Sequence, residues 1–351
     1  MEKLEQYTPT GSNDNTVRIL RAFLDHLPAN GRSNLIRHLE SLQSDQEIHE
    51  HAESLVNGLL MPMRTLRSVP TASPRAGMED SIENVAALSG SPAVRDSRLK
   101  QECLERDGFK CVVTGRYDEK HVDPNAPPVR QCYTECAHII PFSLATWKDE
   151  QEERSKNIIW TNLTRYFPSL TSQIRFSRDS INSARNAMTI SRELHFYFGK
   201  FDFAFEATLQ RHTYTLKNYK PMVLDYLPEK VTFKCHNSNS PSALPSPGLL
   251  KIHATIARIF HASGAAESIE KAIRDLEEKA PLAKDGSSDI SAMLAATSLG
   301  VLGSRAGNVQ QTRPGISGNL KSAQSISKVD GGWMQGQNIA DQSEKWSKLP
   351  R

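Results

Sequence analysis

Three short segments limit what the middle of this 351-residue chain can become. They are Cys111-Val-Val-Thr-Gly115, Glu135-Cys-Ala-His-Ile-Ile-Pro141 and Asn186-Ala-Met-Thr-Ile-Ser-Arg-Glu-Leu-His195. Ahead of the first, residues 98–106 read as a helix, Asp107-Gly108 as a turn dipeptide, and residues 109–114 as a β-rich run. A polar, Pro-containing loop over 118–130 leads to a strand over 131–140. That strand stops at Pro141, which cannot donate to a ladder. Residues 186–190 read as another strand. Ser191 suits the N-cap of a helix over 192–198, which carries His195 in its first turns. The order is strand, long connection, strand, helix, with His138, Asn186 and His195 spaced along it. Residues 201–205 and 212–216 follow as a pair of strands.

The flanks are of a different kind. Over residues 14–66, apolar side chains recur at helical spacing. Val17, Leu20, Phe23, Leu24 and Leu27 form one stripe, and Leu35, Ile36, Leu39 and Leu42 a second. Ile48, Leu55, Leu59 and Leu60 form a third, and Pro28 and Gly31 punctuate the first two. The expected organisation is a helical N-terminal arm over 1–66 and a linker over 67–96, where Pro70, Pro74, Gly77, Gly90 and Pro92 cluster. A globular domain over 97–262 follows, then an amphipathic helix over 263–280 with opposite charges interleaved. Residues 281–351, rich in Gly, Ser and Gln, are expected to form a disordered tail. The apolar content of 38% fits such a division. Ordinary globular chains hold roughly 45–50% apolar residues when Gly is counted.

A net charge of +3 permits nucleic acid as a partner without demanding it. No apolar run approaches the roughly 20 residues needed to span a bilayer, so no membrane association is expected. Residues 1–6 lack the apolar core of a secretion signal. The five cysteines then read as reduced thiols of a nuclear or cytoplasmic protein that is not secreted. With no Cys-x-x-Cys in the chain, they suit small buried hydrophobes better than a structural zinc site.

Taken together, His138, Asn186 and His195 and their settings resemble the HNH endonuclease family, in particular its fungal members. His138-Ile-Ile-Pro-Phe142 and the long connection that follows add to the likeness. The resemblance implies an α+β fold with a ββα-metal core, and hydrolysis of DNA phosphodiester bonds with a divalent metal ion. Mg²⁺ is the first expectation, with Mn²⁺, Ni²⁺ or Zn²⁺ as alternatives. It implies His138 as general base, because a neutral imidazole accepts a proton at working pH. It implies His195 as a metal ligand, and Asn186 as either a brace of the catalytic site or a further metal ligand. Arg185 and Arg192 flank the motif and are expected on substrate phosphates. The wider run of basic residues, from Lys148 to Arg192 with Tyr166, Phe167 and Phe176 interleaved, suits phosphate contact and base stacking.

Ala137 departs from the pattern. Many family members place a metal-ligating acid or His just before the base. Glu135 is the nearest carboxylate, and strand alternation turns it away from His138. A second reading therefore stands beside the first: an HNH domain that does not cut and serves as a nucleic-acid or protein binding module. A third makes the chain a scaffold with a passive core, in which the helical arm and the tail carry the function and the N-terminal helices dock a protein partner.

Overall fold

A computed structural model describes residues 2–11, 14–68, 97–122, 125, 127–147, 149–236 and 243–277. The expected linker beyond Ser68, the last residues of the amphipathic helix and the whole expected tail lie outside the described residues.

The N-terminal segment is helical, as its stripes require. It comprises α1 (Glu2–Gln6), α2 (Thr16–His26), α3 (Ala29–Ser41), α4 (Asp45–Leu55) and, beyond a π-helical turn at Val56–Leu60, α5 (Met61–Ser68). Then come α6 (Ser97–Arg106), β1 (Tyr117–Asp118), β2 (Gln131–Cys132) and β3 (Thr134–His138). The long connection after His138 folds as α7 (Glu150–Tyr166) and the short α8 (Ser169–Ser172). It is followed by β4 (Ala187–Ser191), α9 (Arg192–Gly199), β5 (Phe203–Ala207), β6 (Thr213–Asn218) and β7 (Lys230–Thr232). The described chain closes with α10 (Pro247–Ser263) and α11 (Ala265–Glu277). This is a mixed α+β fold with small sheets. β1 and β2 pair in parallel, β3 and β4 antiparallel, and β5, β6 and β7 form an antiparallel meander.

One helix organises the interior. α10 buries most of its circumference, with Leu249, Leu250, Ile252, Ile256, Ala257, Ile259 and Phe260 inside and a stripe of Lys251, Arg258 and Ala262 reaching solvent. So wide an apolar face needs cover from more than one neighbour. α2 lies along it with Leu20, Phe23, Leu24 and Leu27 turned inward, and β5 covers another side. His253, fully buried on α10, stacks on Phe198 and Phe201 at 3.9 and 4.5 Å between ring centroids. Its Nε2 also hydrogen-bonds the Phe198 carbonyl at 3.1 Å. The N-terminal helices therefore belong to the main core and are not an arm standing clear of it. No helix among the described residues is long and apolar enough to cross a membrane.

α7 joins the same interior from the other direction, packing on α3 and on the turn at Val56–Leu60. The approach is close: a Cβ added to Gly31 would sit 1.9 Å from the Tyr166 carbonyl oxygen. Tyr166, Phe167 and Phe176 are buried here, so they pack the interior and are not stacking platforms for bases. Lys156 is likewise buried, paired with Glu152 at 2.7 Å.

Residues 109–114 depart from the expected strand. Gly108 and Phe109 both take positive φ (67° and 56°) and turn the chain. The Cys111 N–H then reaches the Arg116 carbonyl at 2.9 Å, and the Gly115 N–H reaches the Cys111 carbonyl at 2.8 Å. Cys111 and Val113 are buried, so the β-forming residues fill the core from a tight turn.

Gly31→Ala should destabilise the protein by about 2 kcal/mol, because the added methyl is accommodated only if α3 and α7 move apart. Chemical denaturation checks this, with an unchanged midpoint as the contrary result. His51, buried beneath His38 and 3.4 Å from the Tyr166 hydroxyl, has its pKa pushed down to about 4. Burial is the main cause, helped by His38 and Arg165. Between pH 6.5 and 4 the unfolded chain therefore binds the proton better, and stability should fall as pH falls through that window. His51→Leu should make the loss shallower in pH-dependent melting.

Candidate functional site

β3 and β4 form the hairpin that positions the site, in the register Thr134↔Ser191 to His138↔Ala187. Its start is pinned by Asp118, which is buried and accepts from the Thr134 N–H at 3.3 Å and hydroxyl at 2.5 Å. His121 adds a third contact to Asp118 at 2.7 Å. Burial alone would raise the Asp118 pKa, but the hydrogen bonds from Thr134 and His121 outweigh it and hold the carboxyl below its ordinary range. Its middle is held from outside the hairpin. Asp107 Oδ2 accepts from the Thr189 N–H at 2.8 Å, and Arg106 donates to the Ala187 and Ala184 carbonyls at 3.0 and 2.8 Å. Arg106 and Asp107 are themselves paired at 2.7 Å and buried.

The far end of the hairpin belongs to Asn186. Its Oδ1 accepts from the Ile140 N–H at 2.8 Å, and its Nδ2 donates to the Ile140 and Ile181 carbonyls at 2.9 and 2.8 Å. Its own carbonyl accepts from the Ile139 N–H at 2.7 Å. The side chain is fully buried. Asn186 thus clamps the two residues that follow His138. Its carboxamide is thus committed to the backbone, an arrangement that suits a brace.

His138 ends β3 with little exposure. Its Nε2 lies 3.1 Å from Asn182 Oδ1, and its ring tilts against Phe142 at 5.6 Å. The Asn182 carboxamide is thus placed to orient the ring and to select its tautomer. Asn182 went unnoticed in the sequence. Its one signal is a second Asn a turn upstream of Asn186.

His195 sits on α9, whose N-cap is Ser191: the Ser191 hydroxyl accepts from the Leu194 N–H at 3.4 Å. His195 Nδ1 meets Glu135 Oε2 at 2.7 Å, and Arg192 Nε meets Glu135 Oε1 at 3.0 Å. Hydrogen bonding to His195 is the main reason the Glu135 pKa is lowered, and Arg192 adds to it. Strand alternation puts Glu135 and Ala137 on one face of β3 and Thr134, Cys136 and His138 on the other. Glu135 therefore turns away from His138, as expected, but toward His195. No hydrogen bond or ring contact joins His138 to His195 among the described residues. Arg192 is partly engaged by Glu135, while Arg185 is exposed beside Asn186.

A divalent ion needs donors. No group of three or more His, Cys, Asp or Glu that could hold one occurs among the described residues. Ala137 is fully buried, so the position before His138 is filled by packing. One arrangement does suit a metal. A ligating His usually gives its other ring N–H to a carboxylate, which orients the ring and raises its basicity. Glu135 holds His195 Nδ1 in that way and leaves Nε2 as the donor nitrogen.

A strand, a strand and a helix in succession, carrying His, Asn and His, define the class: an HNH domain, with an arrangement consistent with a ββα-metal unit. Residues 111–206 match the HNH endonuclease family. The match covers the turn at Cys111, both strands, α7 to α9 and most of β5. No curated protein and no solved structure matches the chain.

Asp107→Ala should lower stability by about 3–5 kcal/mol, because it leaves Arg106 charged and buried without its partner. Urea unfolding measures this, and a loss under about 1 kcal/mol would show that the backbone carbonyls alone suffice for Arg106.

Proposed function

We propose that the HNH domain hydrolyses phosphodiester bonds of DNA with the help of a divalent metal ion. The observation that carries this reading is His138. It sits on a strand end braced by Asn186, hydrogen-bonded to Asn182, inside the stretch that matches the HNH endonuclease family. The His138 imidazole takes the proton of the attacking water, and Asn182 orients the ring. Asn186 touches no reacting atom. It is a positioning residue, fixing the backbone from which His138 projects. Arg185, exposed beside the motif, contacts a substrate phosphate. Arg192 shares its charge between Glu135 and the phosphate.

His195 Nε2 would hold the ion, with Glu135 orienting the ring. A bound ion supplies charge neutralisation at the phosphoryl and leaving oxygens. A lone imidazole favours Mn²⁺, Ni²⁺ or Zn²⁺ over Mg²⁺, which prefers oxygen donors. A second reading is favoured by the buried Ala137: an HNH domain that binds nucleic acid without cutting it.

Plasmid nicking across Mg²⁺, Mn²⁺, Ni²⁺ and Zn²⁺ separates the two. The nuclease reading expects metal-dependent nicking, abolished by EDTA and reduced by about 10²–10⁴ in His138→Ala. Nicking by that variant at the wild-type rate would overturn the role given to His138. Folded protein that retards DNA in a gel but cuts with no metal would establish the binding module.

A further inference from the structure

Away from the hairpin, α3 and α7 enclose an open cleft of roughly 450 Å³ lined by Asn34, Arg37, His38, Ser41 and Arg165. Every lining side chain is polar and two are guanidinium groups. No carboxylate lies within ion-pairing distance of Arg37 or Arg165 among the described residues. The frame is rigid. Gly31 and Tyr166 bring the two helix backbones together. Asn34 ties the sides, donating from Nδ2 to the Arg165 carbonyl at 2.8 Å and accepting from Arg37 at 3.4 Å on Oδ1. His38 lines the wall and rests edge-on against His51 at 4.3 Å between ring centroids. Burial and the nearby Arg165 charge hold its pKa below the ordinary value, so the ring has room to gain a proton beside an anion.

We infer that this cleft is a phosphate-binding site that takes the backbone of the nucleic acid on which the HNH domain acts. The inference rests on the nucleic-acid reading of that domain. A guanidinium fork matches phosphate oxygens in plane and in charge. Both guanidinium groups suit contact with the phosphate backbone, which carries no sequence readout. Contacts of this kind appear in the salt dependence of binding, because each neutralised phosphate releases counterions.

Anisotropy of a labelled duplex of mixed sequence tests this, in EDTA and over a series of salt concentrations. The proteins compared are the full chain, R37Q/R165Q and R37K/R165K, each checked for fold by circular dichroism. Both arginines are exposed, so the substitutions leave the core intact. The glutamine variant should bind more weakly, and its slope of log affinity against log salt should be shallower by about 2. The lysine variant should keep the wild-type slope. Wild-type binding with an unchanged slope in the glutamine variant would overturn the cleft and leave the HNH reading standing. A wild-type protein that binds no duplex at any salt would overturn both.

Discussion

The ion pair between Arg106 and Asp107 holds the site to the rest of the molecule. Both residues are buried and adjacent in sequence, at the point where α6 ends. Two such charges are unfavourable inside a protein unless each is met by its partner and by further hydrogen bonds. Here the remaining capacity goes to backbone. Arg106 reaches Ala184, Ala187 and Ala243, while Asp107 receives the Thr189 amide. The pair therefore joins α6 to β4, to the segment before Asn186 and to the approach to α10. Asn186 can clamp the end of β3 only because β4 is already fixed along its length.

The hairpin also divides the chemistry. His138 projects from the face of β3 that carries Cys136, where Cys136 meets Cys103 of α6 at 3.9 Å between sulfurs. Glu135 projects from the other face and meets His195 on α9. The two histidines of the motif are thus mounted on opposite sides of one two-stranded element. Position 137 holds a buried Ala that lets β3 pack, and Glu135 holds the His195 ring from the same face.

Much of this was legible in the sequence, and the physical reasons are local. The stripe of Leu20, Phe23, Leu24 and Leu27 has helical period and nothing else. Ser191 before an apolar helical run is an N-cap signal that the structure uses directly. The alternation through Glu135 and Ala137 marked the two faces of β3, but the strand read over 131–140 divides into β2 and a β3 that already ends at His138, ahead of Pro141. What stayed hidden depended on distant partners. Asp107 read as half of a turn dipeptide because its contact, the Thr189 amide, lies far along the chain. Asn182 had no pattern of its own until His138 came beside it. The β-forming run after Gly108 misled because turn geometry there overrode propensity, and the residues found burial without a ladder. The aromatic residues among the arginines read as a stacking surface, yet Tyr166 and Phe167 are turned inward by α7 against α3. Periodicity within one segment does not say which neighbour will cover a face.

The shared interior has a consequence for how this molecule can be taken apart. α10, from the C-terminal side of the chain, is covered by α2 from the N-terminal side, and α7, from the middle, is covered by α3. A fragment beginning at Ser97 would carry the β3–β4 hairpin without α2 and α3, and one ending at Ser68 would carry those helices without the faces they cover. A cut between those points would divide one interior in two and would not release a module from an appendage.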